Sequence, residues 1–285
     1  MEYVQTPGFV KLNIEDDFDL ERIFECGQCF RWNADEKGVY TGVAMGKAAR
    51  IYREGDDIFI SGTVDDFENI WRGYFDLDRN YREIRKTLCT DEYMTAASEY
   101  GAGIRILCQD KWEALCSFII SQCNNIPRIK KIVETLCRCF GEETELFGKV
   151  YYTFPSAEKI AELTAEDLAP LRCGYRAPYI IGAAKAVFSG ELDLEAIASG
   201  TPENALKALK SLNGVGDKVA NCAVLFGLQM LDAFPIDVWI KKVLTAHYGK
   251  DFDPSVFSPY AGIAQQYMFY YARCGADFEL ALDKR

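Results

Sequence analysis

The hydrophobic period of this chain changes once along its length, and that change limits what it can fold into. Between about residues 8 and 65, short runs such as GVYTGVAM, AARIYRE and DDIFISGT alternate apolar and polar side chains between Gly and Asp clusters. That is the pattern of antiparallel strands joined by hairpins. From about residue 79 apolar residues recur at helical spacing instead. IPRIKKIVETLCRCF, residues 126–140, sets Ile126, Ile129, Ile132, Val133, Leu136 and Phe140 at that spacing with Pro127 in the first turn. WEALCSFIISQ, residues 112–122, is apolar all round, as a central buried helix would be. Further helices fit SAEKIAELT, YIIGAAKAVFSG, PENALKALKSL, KVANCAVLFGLQML, DVWIKKVLTAHYG and PYAGIAQQYMFYYARCG. The predicted fold class is α+β: an N-terminal antiparallel β-rich domain over residues 1–100, followed by an all-helical two-part body over 101–285 with a helix-hairpin-helix motif at about 204–229.

Composition narrows the chemistry. A length of 285 residues with 49% hydrophobic and 26% charged residues supports a buried core without staples. The opening MEYVQTPGFVKLN has no basic stretch followed by an apolar one, and no apolar run approaches membrane-spanning length, so an intracellular protein is expected, in the cytoplasm or nucleoid if the source is a prokaryote. Eleven cysteines scattered through such a chain read as reduced thiols, and the one CxxC pair, Cys26 and Cys29, lacks a second pair, so no metal site is expected. His247 is the sole histidine, so a Ser-His-Asp triad could be built only around it. Mechanisms resting on lysine and carboxylates gain by elimination. The net charge of −11 argues against indiscriminate attraction to phosphates. Residues 205–250 nevertheless carry six cations (Lys207, Lys210, Lys218, Lys241, Lys242, Lys250) against three acids (Asp217, Asp232, Asp237), a net of +3 and a candidate basic face.

One stretch concentrates the chemistry. PENALKALKSL, then NGVGD, then KVANCAVLFGL reads as helix, tight turn, helix. Gly214 and Gly216 are expected to let the backbone turn with unusual dihedrals and to expose amides at the positive end of the second helix, a geometry that holds phosphate without side chains. The plain alternative is a helix hairpin closed by glycines. Lys218 opens the second helix, either as a solvated residue or as a nucleophile, since a neutral amine attacks electrophilic carbon. Cys222 lies one turn further on the same face and is either a pocket wall or a core thiol. In AFPIDVWIKKVL, Asp237 stands where an N-cap belongs; capping is one role, and stabilising a cationic sugar or shuttling protons is another.

LNGVGDKVANC with FPIDV some twenty residues on resembles the helix-hairpin-helix DNA glycosylases, and Lys218 resembles the lysine of their glycosylase/lyase branch. Three further stretches, GQCFRW (27–32), SFIISQCNNIPRI (117–129) and GYRAPY (174–179), resemble the 8-oxoguanine DNA glycosylases, so the likeness spans nearly the whole chain. It implies a bifunctional enzyme in which Lys218 attacks C1′ of the damaged nucleotide with Asp237 as its catalytic partner. It also implies that the Gly27 carbonyl meets the N7 hydrogen of the oxidised purine, that Gln265 reads the Watson-Crick edge, and that Phe269 and Cys222 sandwich the flipped ring. Tyr175 would wedge into the duplex, and Arg176 and Arg128 would contact the orphaned cytosine.

The chain departs from the family pattern at three places. Cys123 stands before Asn124 where the family usually has the first of three asparagines, Trp239 where better-known members carry a phosphate-contacting histidine, and Ala272 where an aspartate supports that site. Phosphate grip is then expected from Lys241 or Lys242. The expected partner is duplex DNA containing 8-oxoguanine, bound by a monomer away from membranes. No organic cofactor is implied, although a monovalent or calcium ion could bridge hairpin carbonyls and a phosphate. Two rivals stand beside this reading: the same scaffold acting on an alkylated purine, and a noncatalytic DNA-binding or scaffold protein suggested by the acidic charge.

Overall fold

The computed structural model describes residues 1–249 and 251–275, so Lys250 of the candidate basic face lies outside the described residues. Six strands, β1 (Glu2–Thr6), β2 (Phe9–Asn13), β3 (Asn33–Ala34), β4 (Tyr40–Ala44), β5 (Lys47–Glu54) and β6 (Asp57–Ser61), form one antiparallel sheet in the order β1-β2-β6-β5-β4-β3. The register sets Val10 opposite Ile60, Leu12 opposite Ile58, and Ile51 opposite Ile60 on the other side of β6. Alternation therefore gathers these residues on one buried face, over which Phe24, Trp32, Trp71 and Phe75 pack as an aromatic core.

The strands end at Ser61, and the chain is already helical between 64 and 100. Its last two helices there, Tyr81–Leu88 and Glu92–Tyr100, put Tyr81, Ile84, Leu88, Met94 and Ala97 into the second, helical core, packed beside the C-terminal helix Ala261–Cys274. The strand-rich region is thus shorter than the 1–100 expected. Helix-forming segments of eight and nine residues bury one apolar stripe each, and the helical core offers the complementary surface.

Lys111–Ile120 is the central helix that its apolar sequence predicts, buried from Trp112 to Ile120 apart from the flank of Lys111 and Glu113. Ile126–Phe140 begins at an Asn125 cap whose side chain accepts from the Arg128 amide at 3.0 Å. The hairpin motif is Pro202–Lys210, a turn, and Asp217–Phe226, which packs against the central helix. Beside its helices the body carries a strand pair, β7 (Glu143–Leu146) and β8 (Lys149–Tyr152). Their turn residue Phe147 lies 5.6 Å from the Phe9 ring and beneath the Arg50 guanidinium, which ties the sheet to the body. No helix among the described residues is long and apolar enough to cross a membrane.

Candidate active site

Between the GQC loop of the first region and five helices of the second lies a cavity of about 560 Å³. Gly27, Asn124, Lys218, Cys222, Asp237, Trp239, Gln265 and Phe269 all border it. Eight residues singled out across some 240 positions of sequence therefore share one space.

Lys218 reaches the cavity from the second residue of the second hairpin helix. Its Nζ donates to Ser121 Oγ at 3.0 Å and lies 5.3 Å from the centre of the Phe118 ring. The Ser121 hydroxyl donates its own proton to the Phe118 carbonyl at 2.8 Å, so toward the amine it can only accept. Ser121 thereby holds one N–H and leaves the rest of the amine to the cavity. Cys222, one turn on, is buried, and burial pushes its thiol up to about 11 against the pull of Lys218. It is a neutral, soft wall.

Asp237 does cap its helix, Val238–Val243: Oδ1 accepts from the Trp239 and Ile240 amides, both at 2.9 Å. Oδ2 has no hydrogen bond among the described residues, and the carboxylate lines the same cavity as Lys218. Of the roles weighed from the sequence, capping is met by Oδ1, and it leaves the side chain bordering the cavity.

Gly27 has φ +81, and a Cβ there would stand 3.3 Å from Ile126 and 3.4 Å from the Phe269 ring. Both the left-handed backbone and the close approach require glycine. The loop is pinned on every side. Gln28, fully buried, donates to the carbonyls of Ile23 and Arg105 at 2.8 Å and accepts from the Leu107 amide at 2.9 Å. From the C-terminal helix, Gln266 donates to the Cys26 carbonyl at 2.6 Å and Arg273 to the Glu25 carbonyl at 2.7 Å. On that helix Gln265 and Phe269 face the cavity one turn apart, and Gln265 Oε1 is buried without a hydrogen-bond partner.

The remaining expected residues lie outside the cavity lining. Tyr175 is exposed, packed edge-on against Tyr179 and joined to Cys123 by a hydrogen bond that raises its phenol above the usual range. Arg128 is exposed, 3.4 Å from the Arg172 carbonyl. Arg176, expected to face DNA, is instead 5% exposed: it holds the carbonyls of Gln122, Cys123 and Cys173, with its guanidinium over the Tyr175 ring. Carbonyls at the end of the central helix have no partner within that helix, and a buried guanidinium satisfies them. Cys123 itself is exposed at φ +45.

At the hairpin turn only Gly214 has an unusual dihedral, φ +82, and a Cβ there would meet the Tyr179 ring at 2.3 Å. Gly216 corrects the expectation. Its φ of −93 is ordinary extended backbone, with nothing within 4 Å of a Cβ, because it serves as the uncapped N-cap of the second helix and not as a turn residue. Lys241 is exposed, and Lys242 stands over the Trp239 ring at 4.9 Å.

Sequence reasoning missed Ser121, Gln266 and Arg273. The only trace of Arg273 was its spacing of four from Phe269; Ser121 looked like a residue of the central helix.

Residues 11–115 match the 8-oxoguanine DNA glycosylase N-terminal domain, and residues 116–256 the HhH-GPD superfamily of base excision DNA repair proteins. The N-glycosylase/DNA lyase of Saccharomyces cerevisiae is 32% identical over 84% of this chain and 71% of its own length. The chain belongs to the 8-oxoguanine DNA glycosylase family. Solved structures similar to this 8-oxoguanine DNA glycosylase family member include the Clostridium acetobutylicum 8-oxoguanine glycosylase/lyase in complex with dsDNA containing cytosine opposite to 8-oxoG, 38% identical with a TM-score of 0.90 over 96% of this chain and 98% of that one. MBOgg1 in complex with a low affinity DNA ligand is 43% identical, with a TM-score of 0.91 over 96% of this chain and 99% of that one. A family likeness that runs through both regions places the GQC loop and the lysine-bearing hairpin in one inherited architecture.

Proposed function

We propose that this chain is a bifunctional DNA glycosylase and AP lyase that removes 8-oxoguanine from duplex DNA and nicks the abasic strand by β-elimination, in base excision repair. The observation that carries the reading is the convergence of Lys218 and Asp237 with Gly27, Cys222, Gln265 and Phe269 on one cavity of about 560 Å³. That is room for a single flipped purine.

Lys218, as the free amine, attacks C1′ while the C1′–N9 bond breaks and its electron pair leaves with the purine. Asp237 stabilises the cationic sugar carbon and takes the proton that the new C–N centre sheds. Opening of the sugar leaves a Schiff base on Lys218; C2′ then loses a proton and the 3′ phosphate departs with the electron pair. Cys222 and Phe269 sandwich the ring, Gly27 offers its carbonyl to N7–H, and Gln265 Oε1, buried and unpaired, gains a donor from the Watson-Crick edge.

Outside the cavity, Tyr175 fills the space left in the stack, with Cys123 and Asn124 beside it. Arg128 and Arg176 serve the orphaned base, Arg176 after release from its carbonyls. Phosphates are held by amides of the Gly214–Gly216 turn and by Trp239 and Lys241. The carbonyls of Asn213, Gly214 and Val215 accept no hydrogen bond among the described residues. They would suit a monovalent or calcium ion, which takes oxygen ligands. The enzyme acts as a monomer in the compartment that holds the DNA.

The test is a duplex with 8-oxoguanine opposite each of the four bases. Base release, strand cleavage and a borohydride-trapped protein–DNA adduct are expected, and Lys218→Gln removes the adduct. An adduct that persists in Lys218→Gln moves the nucleophile elsewhere; release of an alkylated purine but not 8-oxoguanine overturns the substrate.

A further inference from the structure

Arg273 borders the cavity as a cation without a counter-ion. No carboxylate among the described residues pairs with it, and its Nη1 is shut off from solvent with no hydrogen-bond partner. Nη2 donates to the Glu25 carbonyl at 2.7 Å, and the guanidinium lies over the Phe269 ring at 5.5 Å from its centre. Nη1 stands 3.6 Å from where a Gly27 Cβ would be, against the very peptide that the proposed function sets opposite N7–H. A shielded N–H without an acceptor is an unmet donor, which something that enters the site can satisfy. The acidic residue nearest in sequence to that peptide, Glu25, is already engaged with Lys130 at 3.1 Å.

We propose that Arg273 is a specificity-determining residue whose positive charge serves the O8 side of the oxidised purine. This rests on the proposed function and deepens it. Oxidation turns C8–H and the N7 lone pair of guanine into a C8=O acceptor and an N7–H donor. On this reading the Gly27 carbonyl is the acceptor and the Arg273 guanidinium, beside the same peptide, the donor, so the pocket tests both halves of the new amide group, whereas guanine offers neither. The same charge acts on the rate. When the C1′–N9 bond breaks, its electron pair goes to the purine, which carries it partly on O8 until N9 is protonated; a fixed cation in the cavity wall lowers the energy of that anion.

The experiment compares wild type with Arg273→Leu and Arg273→Lys in single-turnover base release from 8-oxoguanine duplex, and in strand cleavage of a preformed abasic duplex, where no base occupies the pocket. In Arg273→Leu the ratio of base release to abasic cleavage is expected to fall about 10²- to 10³-fold, the scale of losing one preorganised donor. Arg273→Lys restores part of that ratio, because charge returns without the bond geometry. Equal loss of both activities, or a ratio unchanged in Arg273→Leu, overturns the proposal in favour of simple loop support. Wild type that cleaves the abasic duplex but releases no 8-oxoguanine overturns the proposed function itself.

Discussion

At Asp237 one oxygen accepts two backbone amides while the carboxylate as a whole borders the cavity of Lys218, and the two duties can be separated by substitution. Asparagine caps a helix about as well as aspartate, whereas alanine costs about 1 kcal/mol. Asp237→Asn is therefore expected to melt with wild type and Asp237→Ala to melt lower, while both lose base release by about 10²-fold or more, the scale of general acid–base and electrostatic assistance. Thermal melts and single-turnover assays on the same preparations check this; a fully active Asp237→Asn would leave only the capping role. Residue-scale chemistry also explains Ser121. With its proton committed to Phe118, it is an acceptor that suits an amine N–H and cannot donate to the amine nitrogen.

Elements decide what the two hairpin glycines do. The turn between Pro202–Lys210 and Asp217–Phe226 is seated on Tyr179, and Gly214 is the contact point, left-handed and within 2.3 Å of that ring were a Cβ present. Gly214→Ala is expected to destabilise by about 1–3 kcal/mol through strain and overpacking. Gly216 opens into free space at an uncapped helix start. Gly216→Ser should raise stability by only about a few tenths of a kcal/mol by capping, and weaken DNA binding because its hydroxyl takes an amide that the proposed function assigns to phosphate. Denaturant melts with binding isotherms on one duplex separate the two effects, and tighter binding by Gly216→Ser would remove the amides from the phosphate site.

For the molecule as a whole, pH acts far from the cavity. Burial pushes the Glu113 carboxyl, near the start of the central helix, up to about 7 although the Arg31 guanidinium at 3.8 Å opposes the rise. A carboxyl whose folded value lies above its ordinary 4.5 binds its proton more tightly in the folded state. Its contribution to stability is complete below about pH 4.5 and is lost as pH rises through about 7. The melting temperature of wild type relative to Glu113→Gln should accordingly fall between about pH 5 and 8; a flat difference would mean an ordinary carboxyl.

Much of this was legible in the letters. The change of period, the Asn125 cap with Pro127, the helix-turn-helix around Gly214, and the lysine, glycine and aspartate of the site are all set by neighbours a few positions apart, where dihedral preferences and side-chain spacing act. Tertiary structure decided the rest. Gly27 and Arg273 lie almost at opposite ends of the chain, and only packing of the C-terminal helix against the GQC loop puts a guanidinium beside that peptide. Arg176 turned inward for the same reason, because the carbonyls left over at the end of a buried helix are a property of the assembled core and are written in no local stretch of sequence.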